Sequence, residues 1–383
     1  MLRRTTPVSR AFADPNQLIT AVRRALRPLP YHPDVLDDCL TSGLQHEPPW
    51  RHRALKPVDS SARPWAERCH PALRPHPLRS PVPPAPKMRP GELDIDVALV
   101  ERLVREQFPR WAGLPVKQVV SAGTDNAMYR LGDDMVVRLP RLPGGAGQVA
   151  KEQRWLPRLA PHLPLAVPEP LAEGAPGRGY ALPWGVFRWL DGDDLHTAPL
   201  DPAGLAHAAV ELGRFVAALR KADATGGPPS WRGGPLADDE HVRAAIRDLD
   251  ADADGALDGD GATTAWEDAL RVPRWDGVPV WLHGDLLPGN LLARGGRLGA
   301  VIDFGGLGTG DPAADVLAAW AVFDAGTRPL FREAARVDDA TWARGRGWAL
   351  YFGLTAWHHY RVTNPVLASV GRRAVTEALA DRG

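Results

Sequence analysis

Val280-Trp-Leu-His-Gly-Asp-Leu-Leu-Pro-Gly-Asn-Leu-Leu292 and, a few residues on, Ala300-Val-Ile-Asp-Phe-Gly-Gly306 are the stretches of this chain that say most about its architecture. Their apolar flanks read as short buried strands. His283, Asp285 and Asn290 fall in the loop between the flanks of the first stretch, and Asp303 ends a second strand beyond a Gly295-Gly296 turn. Asp and Asn are common turn formers, and each of these residues alone would signify no more than a turn. Three of them at these separations, set against apolar strands, point instead to a chemical site.

The spacing has a mechanical reading. Phosphoryl transfer needs one carboxylate to accept or orient the proton of the nucleophile. It also needs a carboxylate and an amide oxygen to hold Mg²⁺ against the phosphates of a nucleotide. Asp285 answers the first need, Asn290 and Asp303 the second.

The same residues carry a resemblance. His283-Gly-Asp-Leu-Leu-Pro-Gly-Asn290 has the spacing of the H-x-D-L-x-x-x-N catalytic loop of protein kinases, and Asp303-Phe-Gly305 resembles their D-F-G triplet. Glycine follows the histidine where protein kinases have arginine, and Gly310-Asp-Pro-Ala-Ala-Asp315 stands downstream. With these features the chain resembles the aminoglycoside phosphotransferase family, protein-kinase-like small-molecule kinases, from about Leu93 to the C-terminus. The resemblance implies an α+β, bilobal protein-kinase-like fold, with a small antiparallel-sheet N-lobe over 89–190 and a larger, mostly helical C-lobe over 191–383. It implies Asp285 as the catalytic aspartate, Asn290 and Asp303 as ligands of Mg²⁺, and ATP or GTP as phosphate donor. The partner is a small-molecule alcohol. Aminoglycosides are the namesake substrates, but relatives act on macrolides, choline, homoserine and sugars, so the resemblance does not fix the acceptor.

The nucleotide side is expected upstream. Ser121, Gly123, Thr124, Asp125 and Asn126 lie between two strand-like runs, where the family has a short nucleotide-covering loop whose amides face phosphate oxygens. Glu152 stands where the kinase-like fold has a helix glutamate that pairs with a phosphate-binding cation of the third strand. That cation is Arg138 here, where many relatives have lysine; a planar, bidentate guanidinium implies a different local geometry. Phe187 and Trp189, in Phe187-Arg-Trp-Leu190, are expected at the hinge between lobes, against the base.

The pattern of elements agrees with this order. Val97, Val100, Leu103, Val104 and Phe108 recur at helical spacing behind a capping Asp94 or Asp96. Val116 to Ser121, Ala127 to Leu131 and Met135 to Leu139 read as an antiparallel meander. A helix is expected from Gln148 to Leu159, an aromatic strand-like run from Tyr180 to Leu190, and long helices from Leu205 onward.

Residues 1–88 differ in texture. They hold 16 of the 39 prolines and twice as many basic as acidic residues, without a helical or strand period. Two readings stand: a Pro/Arg-rich, poorly ordered extension, and upstream sequence ahead of a start at Met88. Equal numbers of acidic and basic residues, 46 of each, argue against a nucleic-acid binder, and no apolar run is long enough for a membrane span. Two cysteines, Cys39 and Cys69, offer neither a disulfide framework nor a zinc set. A cytoplasmic protein, monomeric or weakly dimeric, is expected.

Blander roles are assigned to several conspicuous residues. His283 reads as a structural group beside a strand, and Asp311 and Asp315 as a helix cap and a brace for the catalytic loop. Asp250-Ala-Asp-Ala-Asp-Gly255 alternates like a calcium loop but has Gly261 where a bidentate glutamate is needed, so it reads as a solvated acidic loop. Trp348, Tyr351, Phe352, Trp357, His358 and Tyr360 read as mostly core, with some lining an acceptor pocket. Two other functions compete: a nucleotide-binding pseudokinase or regulatory module, against which the intact Asp285, Asn290 and Asp303 argue, and a metal-dependent hydrolase, which lacks the ligand set.

Overall fold

Leu99, Val100, Leu103 and Val104 share one face of α1 (Val97–Gln107), so this helix must lie on an apolar surface. Asp96 starts it, its carboxylate accepting the Leu99 N–H at 2.7 Å. In the computed structural model, which describes residues 91–119, 123, 125–236, 239–251 and 257–381, that surface is one face of a five-stranded antiparallel sheet.

The sheet is built from β1 (Val116–Val119), β2 (Asn126–Leu131), β3 (Met135–Pro140), β4 (Pro170–Gly174) and β5 (Trp184–Arg188), in the order β1-β2-β3-β5-β4. The first three strands form the expected meander, with Met128 opposite Arg138. Strand alternation sends Tyr129, Val137, Trp184 and Val186 toward α1. Val136 and Phe187 go to the other face, where they meet Trp155, Leu156 and Leu159 of α2 (Ala146–Leu159). The run from Tyr180 to Leu190 is strand only from Trp184 to Arg188; Tyr180 closes a turn with Gly177.

The remainder is helical around two small ribbons. β6 (Asp193–Asp194) leads into α3 (Pro202–Lys221), α4 (Asp239–Asp250) and α5 (Gly259–Arg271). β7 (Val280–Leu282), β8 (Leu291–Arg294), β9 (Arg297–Val301) and β10 (Gly308–Gly310) follow, with β8 between β6 and β9 and with β10 paired to β7. Then come α6 (Ala313–Val316), α7 (Ala318–Ala321), α8 (Arg328–Ala335), α9 (Asp339–Tyr360) and α10 (Pro365–Ala380). α8 packs on α3, and the long α9 packs on α10, α4, α5 and α6. Of the aromatic set on α9, only Trp348 and Phe352 are buried in the core; Tyr351, Trp357 and Tyr360 are half-buried against it, and half-buried His358 meets Asp248 at 2.9 Å, so fewer of the set are core than expected.

The fold is thus α+β and protein-kinase-like: a helix-covered antiparallel sheet followed by a larger helical part whose ribbons carry the loops named above. None of the helices among the described residues is long and apolar enough to cross a membrane. The expectations for 1–88 and Met88 lie outside the described residues.

Candidate active site

The loop after β7 is shaped by a glycine and a buried carboxylate. Gly284 takes a left-handed φ of 81°, and a Cβ there would meet the Gly306 carbonyl oxygen at 2.8 Å, so only glycine fits. Beneath it the Asp315 carboxylate accepts the N–H of His283 at 2.8 Å and of Gly284 at 2.7 Å. Asp315 is therefore the expected brace. Burial pushes its carboxyl up, with His283 and these two N–H groups opposing that push. Asp311, expected as a helix cap, stands one residue before the N-cap Pro312; its carboxylate accepts the Ala313 N–H at 2.9 Å and is paired with Arg344 at 2.8 Å.

His283 is fully buried and serves structure. Its Nδ1 accepts the Asp285 N–H at 3.1 Å and its Nε2 lies 3.1 Å from the Ile302 carbonyl oxygen, so one neutral tautomer satisfies both. Burial holds its imidazole below the ordinary value.

Asp285 projects from this fixed loop, half-buried. Its Oδ2 accepts from Asn290 Nδ2 at 3.0 Å, and the same nitrogen donates to the Asp285 carbonyl at 2.8 Å. Its Oδ1 accepts from Arg232 Nη1 at 2.7 Å. The Asn290 carbonyl accepts the Ile302 N–H at 2.9 Å, which brings Asn290 against the residue preceding Asp303. Asp303 has a φ of 63°, a left-handed conformation uncommon outside glycine, and its carboxylate caps the short turn Phe304–Gly306. A residue held in that conformation at the end of a buried strand turns its carboxylate toward the sheet: Asp303 Oδ1 lies 3.5 Å from Arg138 Nη2.

Arg138 and Glu152 meet there as well. Their two hydrogen bonds, 2.6 and 3.2 Å, join β3 to α2 in a buried position. Burial works against the Arg138 charge, but Glu152 and then Asp303 outweigh it and push the guanidinium up. Burial pushes Glu152 up in turn, and Arg138 opposes that. The glutamate-cation pair thus forms with arginine in place of lysine.

Of the loop expected over the phosphates, Gly123 is half-buried, Asp125 exposed and Asn126 buried at the start of β2; Ser121 and Thr124 lie outside the described residues. Phe187 is placed differently from a base-stacking residue. Its ring is in the core, 1% exposed, with the Arg138 guanidinium 4.9 Å from its centre. Trp189 is half-buried, and its ring carries the Arg130 guanidinium at 4.0 Å. The Arg188 and Trp189 N–H groups are already taken by the Glu169 and Asp134 carbonyls, at 2.9 and 2.7 Å.

Residues 118–348 match the family model described as the phosphotransferase enzyme family (APH). The chain belongs to this family. Solved structures of like fold include the GDP and kanamycin complex of APH(2")-IIia, with TM-score 0.57 and 20% identity, over 74% of this chain and 99% of that one. They also include the GDP complex of wild-type aminoglycoside 2'-phosphotransferase-IIIa, at 0.55 and 18%, over 73% and 97%. Macrolide 2'-phosphotransferase type I matches at 0.51 and 18%, over 72% and 95%. No curated protein matches the chain in sequence. This phosphotransferase is thus an enzyme of kinase-like fold.

Two cations of the phosphotransferase site escaped the sequence reading. Lys151, beside Glu152, donates to the Gly305 carbonyl at 2.7 Å, and its burial holds the ammonium below the ordinary value against the pull of Glu152 and Asp303. Its neighbour Glu152 was the signal available. Arg232, 53 positions before Asp285, had none. The donors available to Mg²⁺ are the Asp303 carboxylate and the Asn290 amide oxygen, since two hydrogen bonds turn the Asn290 amide nitrogen to Asp285. Few, hard oxygen donors are what this ion takes when phosphates supply the rest, so the residues fit it.

Proposed function

We propose that this phosphotransferase moves the γ-phosphate of Mg²⁺-bound ATP or GTP to a hydroxyl of a small molecule. The observation that carries the reading is the junction of three elements: Asp285 tied to Asn290 at 3.0 Å, Asn290 tied to the strand that ends in Asp303, and Asp303 facing Arg138 at 3.5 Å. Asp285 orients the acceptor hydroxyl and takes its proton as oxygen bonds to the γ-phosphorus and the bridging oxygen departs with the diphosphate. Asn290 and Asp303 hold the metal, which neutralises phosphate charge when bound. Arg138 and Lys151 set positive charge beside Asp303 and Gly305, and the backbone amides of Gly123 and Asn126 face the phosphates. Trp189, half-buried with Arg130 on its ring, is the aromatic nearest the base at the hinge.

The similar structures, one a complex with kanamycin and one named for macrolides, make polyhydroxylated small molecules the first acceptors to try. The test is a set of such alcohols incubated with each Mg²⁺-nucleotide, with phosphate found on the acceptor by mass spectrometry and ³¹P NMR. A phosphoester formed from one nucleotide and one alcohol supports the reading. Tight metal-dependent nucleotide binding with no transfer and no hydrolysis would favour a regulatory module instead.

A further inference from the structure

Asp285 is held by a residue outside every motif discussed so far. Arg232 Nη1 donates to the Asp285 Oδ1 at 2.7 Å and to the Gly284 carbonyl at 2.6 Å, and its side chain is only 12% exposed. The guanidinium lies 4.2 Å from the centre of the Trp231 ring and 5.7 Å from that of Phe352. Asn290 occupies the other carboxylate oxygen. A carboxylate pinned at each oxygen by a different side chain cannot rotate about its terminal bond without breaking a charge-assisted hydrogen bond.

The segment that bears Arg232, Pro228-Pro-Ser-Trp-Arg-Gly-Gly234, is fixed to the loop after Asp303. The Thr309 N–H donates to the Pro228 carbonyl at 2.8 Å, and the Ser230 N–H to the Thr309 carbonyl at 2.9 Å. Ser230 Oγ donates to the Gly306 carbonyl at 2.9 Å. A Cβ on Gly310 would fall 2.4 Å from Gly233, so two glycine backbones set the approach. One segment therefore touches both loops on which the chemistry depends.

We propose that Arg232 is a positioning residue for phosphoryl transfer: the 228–234 segment fixes the Asp285 carboxylate, through this guanidinium, in the orientation in which it takes the acceptor's proton. The proposal rests on the proton-accepting role given to Asp285. Misplacing a reacting group by about 1 Å lowers rates by roughly 100-fold. Arg232 touches no phosphate in this reading, so nucleotide affinity stands apart from it.

The test uses the full chain with solvent water as acceptor, following hydrolysis of Mg²⁺-ATP and Mg²⁺-GTP. Wild type is compared with Arg232→Ala, Arg232→Lys, Asp285→Asn and the Arg232→Ala/Asp285→Asn double variant. The expected result is a kcat lowered on the order of 100-fold in Arg232→Ala with KM for nucleotide unchanged. Arg232→Lys keeps an intermediate kcat. Methylguanidinium added to Arg232→Ala restores part of the rate, and added to the double variant restores none. Turnover of Arg232→Ala close to wild type, beside an inactive Asp285→Asn, overturns the proposal and leaves the role of Asp285 standing. A loss in Arg232→Ala that tracks a lowered Tm and resists rescue also overturns it, because the arginine is then structural. Undiminished turnover of Asp285→Asn removes the reading beneath it and the proposal together.

Discussion

Arg138 and Glu152 form a buried ion pair joined at two points, 2.6 and 3.2 Å, that locks β3 to α2. Both side chains are more than nine-tenths buried, so neither can fall back on water if its partner is lost. The guanidinium fork reaches both Glu152 oxygens and still stands 3.5 Å from Asp303, a span one ammonium could not cover with the same geometry.

Arg138→Ala should therefore lower stability by about 3–5 kcal/mol, the cost of leaving a buried carboxylate unpaired. Arg138→Lys should lose less, and Arg138→Met paired with Glu152→Leu should recover much of the stability while losing nucleotide affinity. Thermal unfolding of the four proteins checks this. A Tm for Arg138→Ala equal to wild type would mean that the pair does not form.

Asp303→Asn should weaken Mg²⁺-nucleotide binding itself, because a neutral amide replaces a charged oxygen donor to a hard cation. Calorimetric titration with and without Mg²⁺ separates the metal-dependent part of the affinity. An unchanged metal-dependent part would remove Asp303 from the ligand set.

Asp315→Ala leaves the N–H groups of His283 and Gly284 buried without acceptors, and each such loss costs about 1–3 kcal/mol. The expected outcome is a lower Tm together with reduced turnover, since the loop beneath Asp285 loosens. Asp315→Asn, which keeps one acceptor oxygen, should fall between. Equal stability of all three proteins would show that the brace carries no load.

The legible part of the protein was the part written in contiguous residues. Apolar flanks around Asp285, Asn290 and Asp303 gave the loop, and three short β-like runs separated by turn residues gave the meander with Arg138 on its third strand. The resemblance supplied the nucleotide side, where single residues were harder to place. Phe187 looked like a hinge aromatic, but alternation along β5 turns its ring to the face shared with Val136 and Trp155. Arg232 was invisible for a different reason. An arginine in a Pro- and Gly-rich stretch reads as solvated, and its contact with Asp285 exists only because the 228–234 segment folds against β10.

The part of the chain before Leu93 contributes none of the residues assigned to the site. A chain begun at Met88 should bind Mg²⁺-nucleotide with the affinity of the full chain and unfold within about 5 °C of it. A larger drop would assign the preceding segment to the folded domain.

The central claim is that Asp285 acts on the acceptor's proton while other residues bind the nucleotide. Asp285→Asn tests it most directly, because asparagine keeps the size and the contact with Asn290 but cannot take a proton. Nucleotide affinity in the presence of Mg²⁺ and turnover should be measured on the same preparation. The account predicts affinity close to wild type with phosphoryl transfer lowered by a factor of about 100 or more, the lower end of what general-base catalysis supplies. Turnover within a few-fold of wild type would contradict it.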